Sequence, residues 1–149
     1  MSTNRSDLDD SHVPPPDTPV LVVGDLFAAA VARRLGAAAA QVRLLTDDAR
    51  AKRLAESEVT VTDGDPTDAE TLRGTLDPDE TLVVATNDDG RSLLIAGLAA
   101  VGDPDRVVTV VGDPERVDAF EDARVTPVCA STAVARTVVE QLTETEDDA

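Results

Sequence analysis

The sequence predicts an α/β protein: one open, doubly wound parallel sheet of about six strands, ordered 3-2-1-4-5-6, with helices on both faces. Three observations carry this. Short β-branched runs alternate with helical segments six times along the chain. Those runs are continuously apolar, as strands buried on both faces are. The chain has 149 residues, from which one domain with a real core, and no second one, is expected. Alternating βα units with right-handed crossovers give the predicted order.

The first strand is read at 20–23, inside Pro-Val-Leu-Val-Val-Gly, and is followed by an alanine-rich helix at 26–36. Strand, glycine and helix in this sequence open a dinucleotide-binding βαβ unit, so the fold is expected to be Rossmann-like. The three glycines of that fingerprint have separate jobs: the tight turn, the approach of backbone to pyrophosphate, and close helix–sheet packing. Gly24 serves as the first. Leu26 stands where the second belongs. Ala29, or Ala28 in a loop one residue shorter, takes the third place. Asp25 adds a negative charge at the helix mouth, which suits the helix dipole but repels a phosphate. The pattern alone therefore fits equally a nucleotide site and a structural turn that binds nothing.

The remaining units follow in order. Strands are read at 42–45, 59–61, 81–85, 107–111 and 125–128, and helices at 48–56, 67–75, 90–101, 114–121 and 131–142. Asp65-Pro66-Thr67-Asp68 leads into the third helix, Asp113-Pro114 places proline in the first turn of the fifth, and Ser131 or Thr132 is expected to cap the sixth. Residues 1–17 are acidic and proline-rich, and 143–149 are acidic; both are expected to be disordered tails.

Ligands of such sheets bind beyond the carboxyl ends of the strands, where the strand order reverses. The residues that follow the strands are therefore the candidates: Gly24, Asp25 and Leu26; Thr46, Asp47 and Asp48; Asp65; Thr86 and Asn87. A carboxylate about 20 residues past the glycine loop accepts ribose hydroxyls, which fits Asp47 or Asp48. Asp65 is suited to accept from an adenine amino group, and Thr86 and Asn87 to donate to ribose or phosphate. The same residue types also cap helices and form turns. Asp88-Asp89 matches no metal-binding loop spacing.

Composition narrows the function. The net charge is -17, from 30 acids and 13 bases, and Lys52 is the sole lysine. DNA or anionic membrane binding needs a basic face, which is missing. Two Phe and no Trp or Tyr argue against stacking on single-stranded bases as well. Acid excess, scarce lysine and small core residues resemble proteins of extreme halophiles. Cys129 is the single cysteine, so it forms no intrachain disulfide. His12, the only histidine, lies in the N-terminal tail. A nicotinamide-dependent oxidoreductase needs a proton donor near its substrate, and the chain offers no Tyr and no well-placed Lys or His. No signal peptide or long apolar span is read, so a cytoplasmic location is expected.

Four segments carry a family resemblance: Val-Leu-Val-Val-Gly24 with the helix ending Ala32-Arg33-Arg34-Leu35; residues 59–68 with Leu72; residues 81–89, a hydrophobic strand running into Ala85-Thr86-Asn87-Asp88-Asp89; and residues 107–111 followed by Gly112-Asp113-Pro114-Glu115. Over roughly 18–142 the chain resembles a TrkA-N domain, also called RCK or KTN, the cytoplasmic regulatory module of potassium channels and Trk/Ktr transporters. The resemblance implies a non-catalytic regulatory subunit that binds NAD(H) or an adenine nucleotide such as ATP, ADP or AMP. It implies a homodimer or larger ring and a membrane potassium transporter or channel as partner. It places Gly24 at the phosphates, Thr46-Asp47-Asp48 at the ribose, Asp65 at the adenine and Thr86 near ribose and phosphate. The sequence departs from the family at Leu26, at Thr46 (an acid elsewhere), at Ser92 (often Asn) and at Gly112 (commonly Arg). A ligand-free module kept for oligomerisation or docking is the alternative.

Overall fold

The computed structural model describes residues 19–38, 41–102, 104–122 and 125–148. Residues 1–17, expected as a disordered tail, lie outside the described residues. In chain order the elements are β1 (Pro19–Gly24), α1 (Leu26–Ala38), β2 (Gln41–Thr46), α2 (Ala49–Ala55), β3 (Thr60–Asp63), α3 (Ala69–Thr75), β4 (Thr81–Ala85), α4 (Asp89–Val101), β5 (Arg106–Val111), a 3-10 turn (Pro114–Arg116), α5 (Val117–Asp122), β6 (Thr126–Cys129) and α6 (Ala130–Asp148). All pairings are parallel, and the order is β3-β2-β1-β4-β5-β6. The predicted Rossmann-like sheet is therefore what the chain forms.

Side-chain alternation divides the core between the two faces, because successive strand residues point to opposite sides. Val20, Val22, Leu44 and Val110 pack with Ala28, Ala29 and Ala32 of α1 and Ala51 and Ala55 of α2. Leu21, Val23, Leu45, Leu82 and Val84 pack with Leu72 of α3, Ile95, Ala96 and Ala99 of α4, and Phe120 of α5. The first face is lined by alanine on the helix side, so α1 and α2 lie close on the sheet. The second uses bulkier aliphatics and the one buried aromatic.

Asp48, Asp68 and Asp88 stand as N-caps of α2, α3 and α4, each accepting from backbone N–H groups of the first turn. Asp113 does the same for the 3-10 turn, with Pro114 in its first turn as expected. At α6 the expectation is corrected. The helix already begins at Ala130, so Ser131 and Thr132 lie inside it and do not cap it. Thr132 Oγ1 donates to Cys129 Sγ at 3.3 Å, and Ser131 Oγ lies 3.3 Å from the same sulfur. Those two hydroxyls, Ser131 first, hold the half-buried thiol below its ordinary pKa. A second correction concerns the acidic end: α6 continues through Asp148, where a tail was expected from residue 143. Every side chain from Ser131 to Glu144 is exposed. No helix among the described residues is long and apolar enough to cross a membrane.

Candidate functional site

The carboxyl ends of β1, β2 and β4 meet where the strand order reverses, and the sequence places its candidate residues there. Gly24 is the pivot. Its φ of +148° is accessible mainly to glycine. A Cβ at this position would lie 2.0 Å from the Ala85 carbonyl oxygen and 3.1 Å from Ala28 Cβ. Gly24 is thus required for the approach of β1 to β4, and Ala28 is the helix residue that lies against it. Ala28 and Ala29 are both fully buried.

Asp25 follows directly. Its Oδ1 accepts the Phe27 N–H at 2.9 Å, at the start of α1. Its Oδ2 accepts the Asn87 N–H at 3.1 Å, in the loop after β4. One carboxylate therefore bridges the two loops that flank the crevice. Leu26 is 36% exposed and begins the helix.

At the β2 end, Thr46 is fully buried, and its Oγ1 accepts the Asp48 N–H at 3.1 Å. Asp48 accepts Arg50 N–H at 2.8 Å and Ala51 N–H at 3.2 Å. Asp47 is exposed and turns to Arg91, with Nη2 3.7 Å from its Oδ1. The same Arg91 Nη2 lies 3.9 Å from Asp65 Oδ1. Asp65 also accepts the Thr67 hydroxyl at 2.6 Å and the Thr67 N–H at 2.9 Å, both on Oδ1. Chiefly that hydroxyl, then the backbone bond, with a further contribution from Arg91, holds the Asp65 carboxyl below its usual pKa.

Thr86 is nearly buried and its hydroxyl is fully engaged. It donates to the Asp88 carbonyl at 2.8 Å, accepts the Asp88 N–H at 3.1 Å, and lies 2.7 Å from Ser92 Oγ, which therefore donates to it. Its proton and both lone pairs are in use, leaving no free donor for a ligand. Asn87 is exposed and joins the crevice through its backbone bond to Asp25.

The structure thus gathers the candidates into two groups. Asp25 and Asn87 meet beside Gly24, while Asp47 and Asp65 meet across Arg91. Thr46, Asp48 and Thr86 hold the loops that shape the crevice. Arg91 is the residue that sequence reading missed. Its partners are distant in sequence, and it stands in the first turn of α4, two residues after Asp89. Its Nε is buried with no hydrogen-bond partner. Asp89, considered in the sequence only as half of an acidic pair, has a structural task. Its carboxylate accepts Gly112 N–H at 2.7 Å and Asp113 N–H at 3.0 Å, tying α4 to the end of β5. An open cavity lies there, lined by Asn87, Asp88, Asp89, Gly112, Asp113 and Arg116. Among the described residues no three metal-ligating side chains cluster.

The donor set fits the adenosine part of a nucleotide better than the diphosphate. Carboxylates at Asp47 and Asp65 can accept ribose hydroxyls and an amino group. Of the N–H groups beside Gly24 that a diphosphate would use, those of Phe27 and Asn87 are already bonded to Asp25.

A family model described as "TrkA-N domain" matches residues 20–131. No curated protein sequence matches the chain. Among solved structures, the chain is similar to the NAD(P)-binding domain of an exopolyphosphatase-related protein from Archaeoglobus fulgidus: TM-score 0.72, 23% identity, 83% of this chain and 97% of that one covered. It is also similar to the GsuK channel bound to NAD, with TM-score 0.62, 18% identity and 77% of this chain covered. A second GsuK channel structure gives TM-score 0.61 and 18% identity. This chain spans 22% of the length of each GsuK chain.

Proposed function

This chain belongs to the TrkA-N domain family, and on that premise we propose that it is a non-catalytic, nucleotide-sensing regulatory subunit of a Trk-type potassium uptake system or potassium channel. The observation that carries the proposal is the meeting of Asp47 and Asp65 across Arg91 at the reversal point of the sheet. Two carboxylates there supply acceptors for a ribose and an adenine amino group, in the crevice where this fold class takes its ligands. The solved neighbours support the same reading, since one is an NAD(P)-binding domain and another is a channel bound to NAD. The ligand is accordingly NAD(H) or an adenine nucleotide. The subunit acts in the cytoplasm, as a homodimer or larger assembly, beside its membrane partner.

Catalysis has little to work with. The chain has no Tyr, and Lys52 is bonded to Asp63 at 2.7 Å. The test is a calorimetric titration with NADH, ATP, ADP, AMP and cyclic di-AMP at high KCl, because a charge of -17 repels itself at low salt. A membrane pull-down complements it. Saturable binding together with recovery of a potassium transporter supports the proposal; failure of both overturns it.

A second reading, a ligand-free docking or oligomerisation module, draws on the full engagement of Asp25 and Thr86 within the protein. It predicts self-association or partner capture with no nucleotide bound at any concentration tested.

A further inference from the structure

Anion sites in this fold class are made of backbone N–H groups at the first helix and the adjoining loops, aimed at a phosphate. In this chain an internal carboxylate reaches those groups first. Asp25 Oδ1 holds Phe27 N–H at 2.9 Å and Oδ2 holds Asn87 N–H at 3.1 Å. The second bond is the informative one. A helix cap needs only the first, whereas the bond to Asn87 crosses from the β1–α1 loop to the β4–α4 loop. That span is the crevice itself. The carboxylate therefore lies across it with the charge, and the pair of acceptor oxygens, that a phosphate group would present.

The surroundings agree. Leu26 places a side chain where a second glycine would let phosphate press on backbone. On the other side of β4, Asp89 takes the N–H groups of Gly112 and Asp113 in the same way. A diphosphate entering here would meet the fixed charge of Asp25 and find the Phe27 and Asn87 N–H donors engaged.

We propose that Asp25 is a built-in stand-in for phosphate, so that the cleft draws its affinity from the adenosine end of its ligand and gains none from the diphosphate. Asp25 is thereby a specificity-determining residue. The inference rests on the nucleotide-binding reading above and narrows it: adenosine, AMP and ADP are held about equally, by Asp47 and Asp65. Removing the carboxylate frees two N–H donors and lifts the repulsion, and phosphate then contributes. A single charge-assisted hydrogen bond is worth about tenfold in affinity or somewhat more.

The experiment is titration of the full chain with adenosine, AMP and ADP at high KCl, for the wild type, Asp25→Ala and the isosteric Asp25→Asn. Far-UV circular dichroism reports the fold of each variant, and Asp25→Asn guards against loss of structure in Asp25→Ala. The expected wild-type affinities agree within about threefold. ADP gains about tenfold over adenosine in Asp25→Ala, and less in Asp25→Asn, whose amide oxygen loses the charge but still accepts one N–H. A wild type that binds ADP about tenfold tighter than adenosine overturns the inference and leaves the proposed function standing. So does an ADP-to-adenosine ratio that neither variant changes. ADP binding by the variants alone overturns the proposed function and, with it, the adenosine-based affinity claimed for the wild type. No binding by any of the three proteins overturns both.

Discussion

The two edges of the sheet use the same residue type for opposite purposes. At the amino edge, carboxylates meet cations. Glu80 is buried against Arg43, which donates to it through both Nε and Nη2 and also donates to the Thr75 carbonyl at 2.7 Å. Glu80 Oε1 accepts the Asp77 N–H at 2.9 Å as well. Nearby, Arg33 holds Glu58 through two bonds, of 3.0 and 2.9 Å. At the carboxyl edge, carboxylates mostly meet backbone N–H groups: Asp25, Asp48, Asp68, Asp88, Asp89 and Asp113 all do so. Arg91 is the cation placed between two of the remaining acids. The difference teaches where the acid excess is structural and where it shapes a site. The amino edge neutralises Glu58 and Glu80 in pairs with Arg33 and Arg43. The carboxyl edge orders its loops with carboxylates and leaves Asp47 and Asp65 to face a single arginine.

Four perturbations test this contrast. The largest expected effect is at the pivot of the carboxyl edge. Gly24→Ala puts a methyl 2.0 Å from the Ala85 oxygen at a φ that disfavours a side chain. It should cost about 4 kcal/mol or more, read as a collapse of the denaturation midpoint. Next is the amino edge. Glu80→Ala leaves Arg43 half-buried without its carboxylate, and unfolding free energy from urea titration should fall by about 3 kcal/mol. Removing a carboxyl-edge cap is milder. Asp25→Ala should cost about 1 kcal/mol of stability in the same titration. A loss there equal to that of Glu80→Ala would erase the proposed contrast between the edges.

The smallest effect is in pH. The Asp65 carboxyl is held below its ordinary pKa, mainly by the Thr67 hydroxyl. A depressed carboxylate adds stability above its unfolded pKa and loses it as pH falls through the folded one. Because Asp65 is largely exposed, the contribution is modest. Thr67→Val should therefore lower stability slightly near neutrality and narrow the gap to wild type in strong acid. A gap that widens on acidification contradicts that assignment.

The sheet was legible because its strands are continuous β-branched runs. A parallel strand buried on both faces carries its signal in every residue, as Val20 to Val23 do. Alternation of βα units then gives a parallel doubly wound sheet, and the glycine turn after β1 points to the dinucleotide-binding order. Helix ends were less legible. The apolar periodicity of α6 stops at Leu142, yet the helix runs on through an acidic segment that offers no burial signal. Thr86 shows why site residues resist sequence reading. Its type and position suit a ligand contact, but its hydroxyl closes a local network with Asp88 and Ser92 that only the folded loop reveals. Arg91 shows the reverse case, since its importance lies in two acids contributed by other βα units. Asp47 and Asp65 were picked as candidates because strand ends mark the crevice in any doubly wound sheet.

The most direct test of the account is one titration, AMP into the wild type and into Asp65→Ala at high KCl. The account predicts saturable binding at a single site, weakened about tenfold or abolished by the substitution. Saturable binding that Asp65→Ala leaves untouched, or no binding to the wild type, would contradict it.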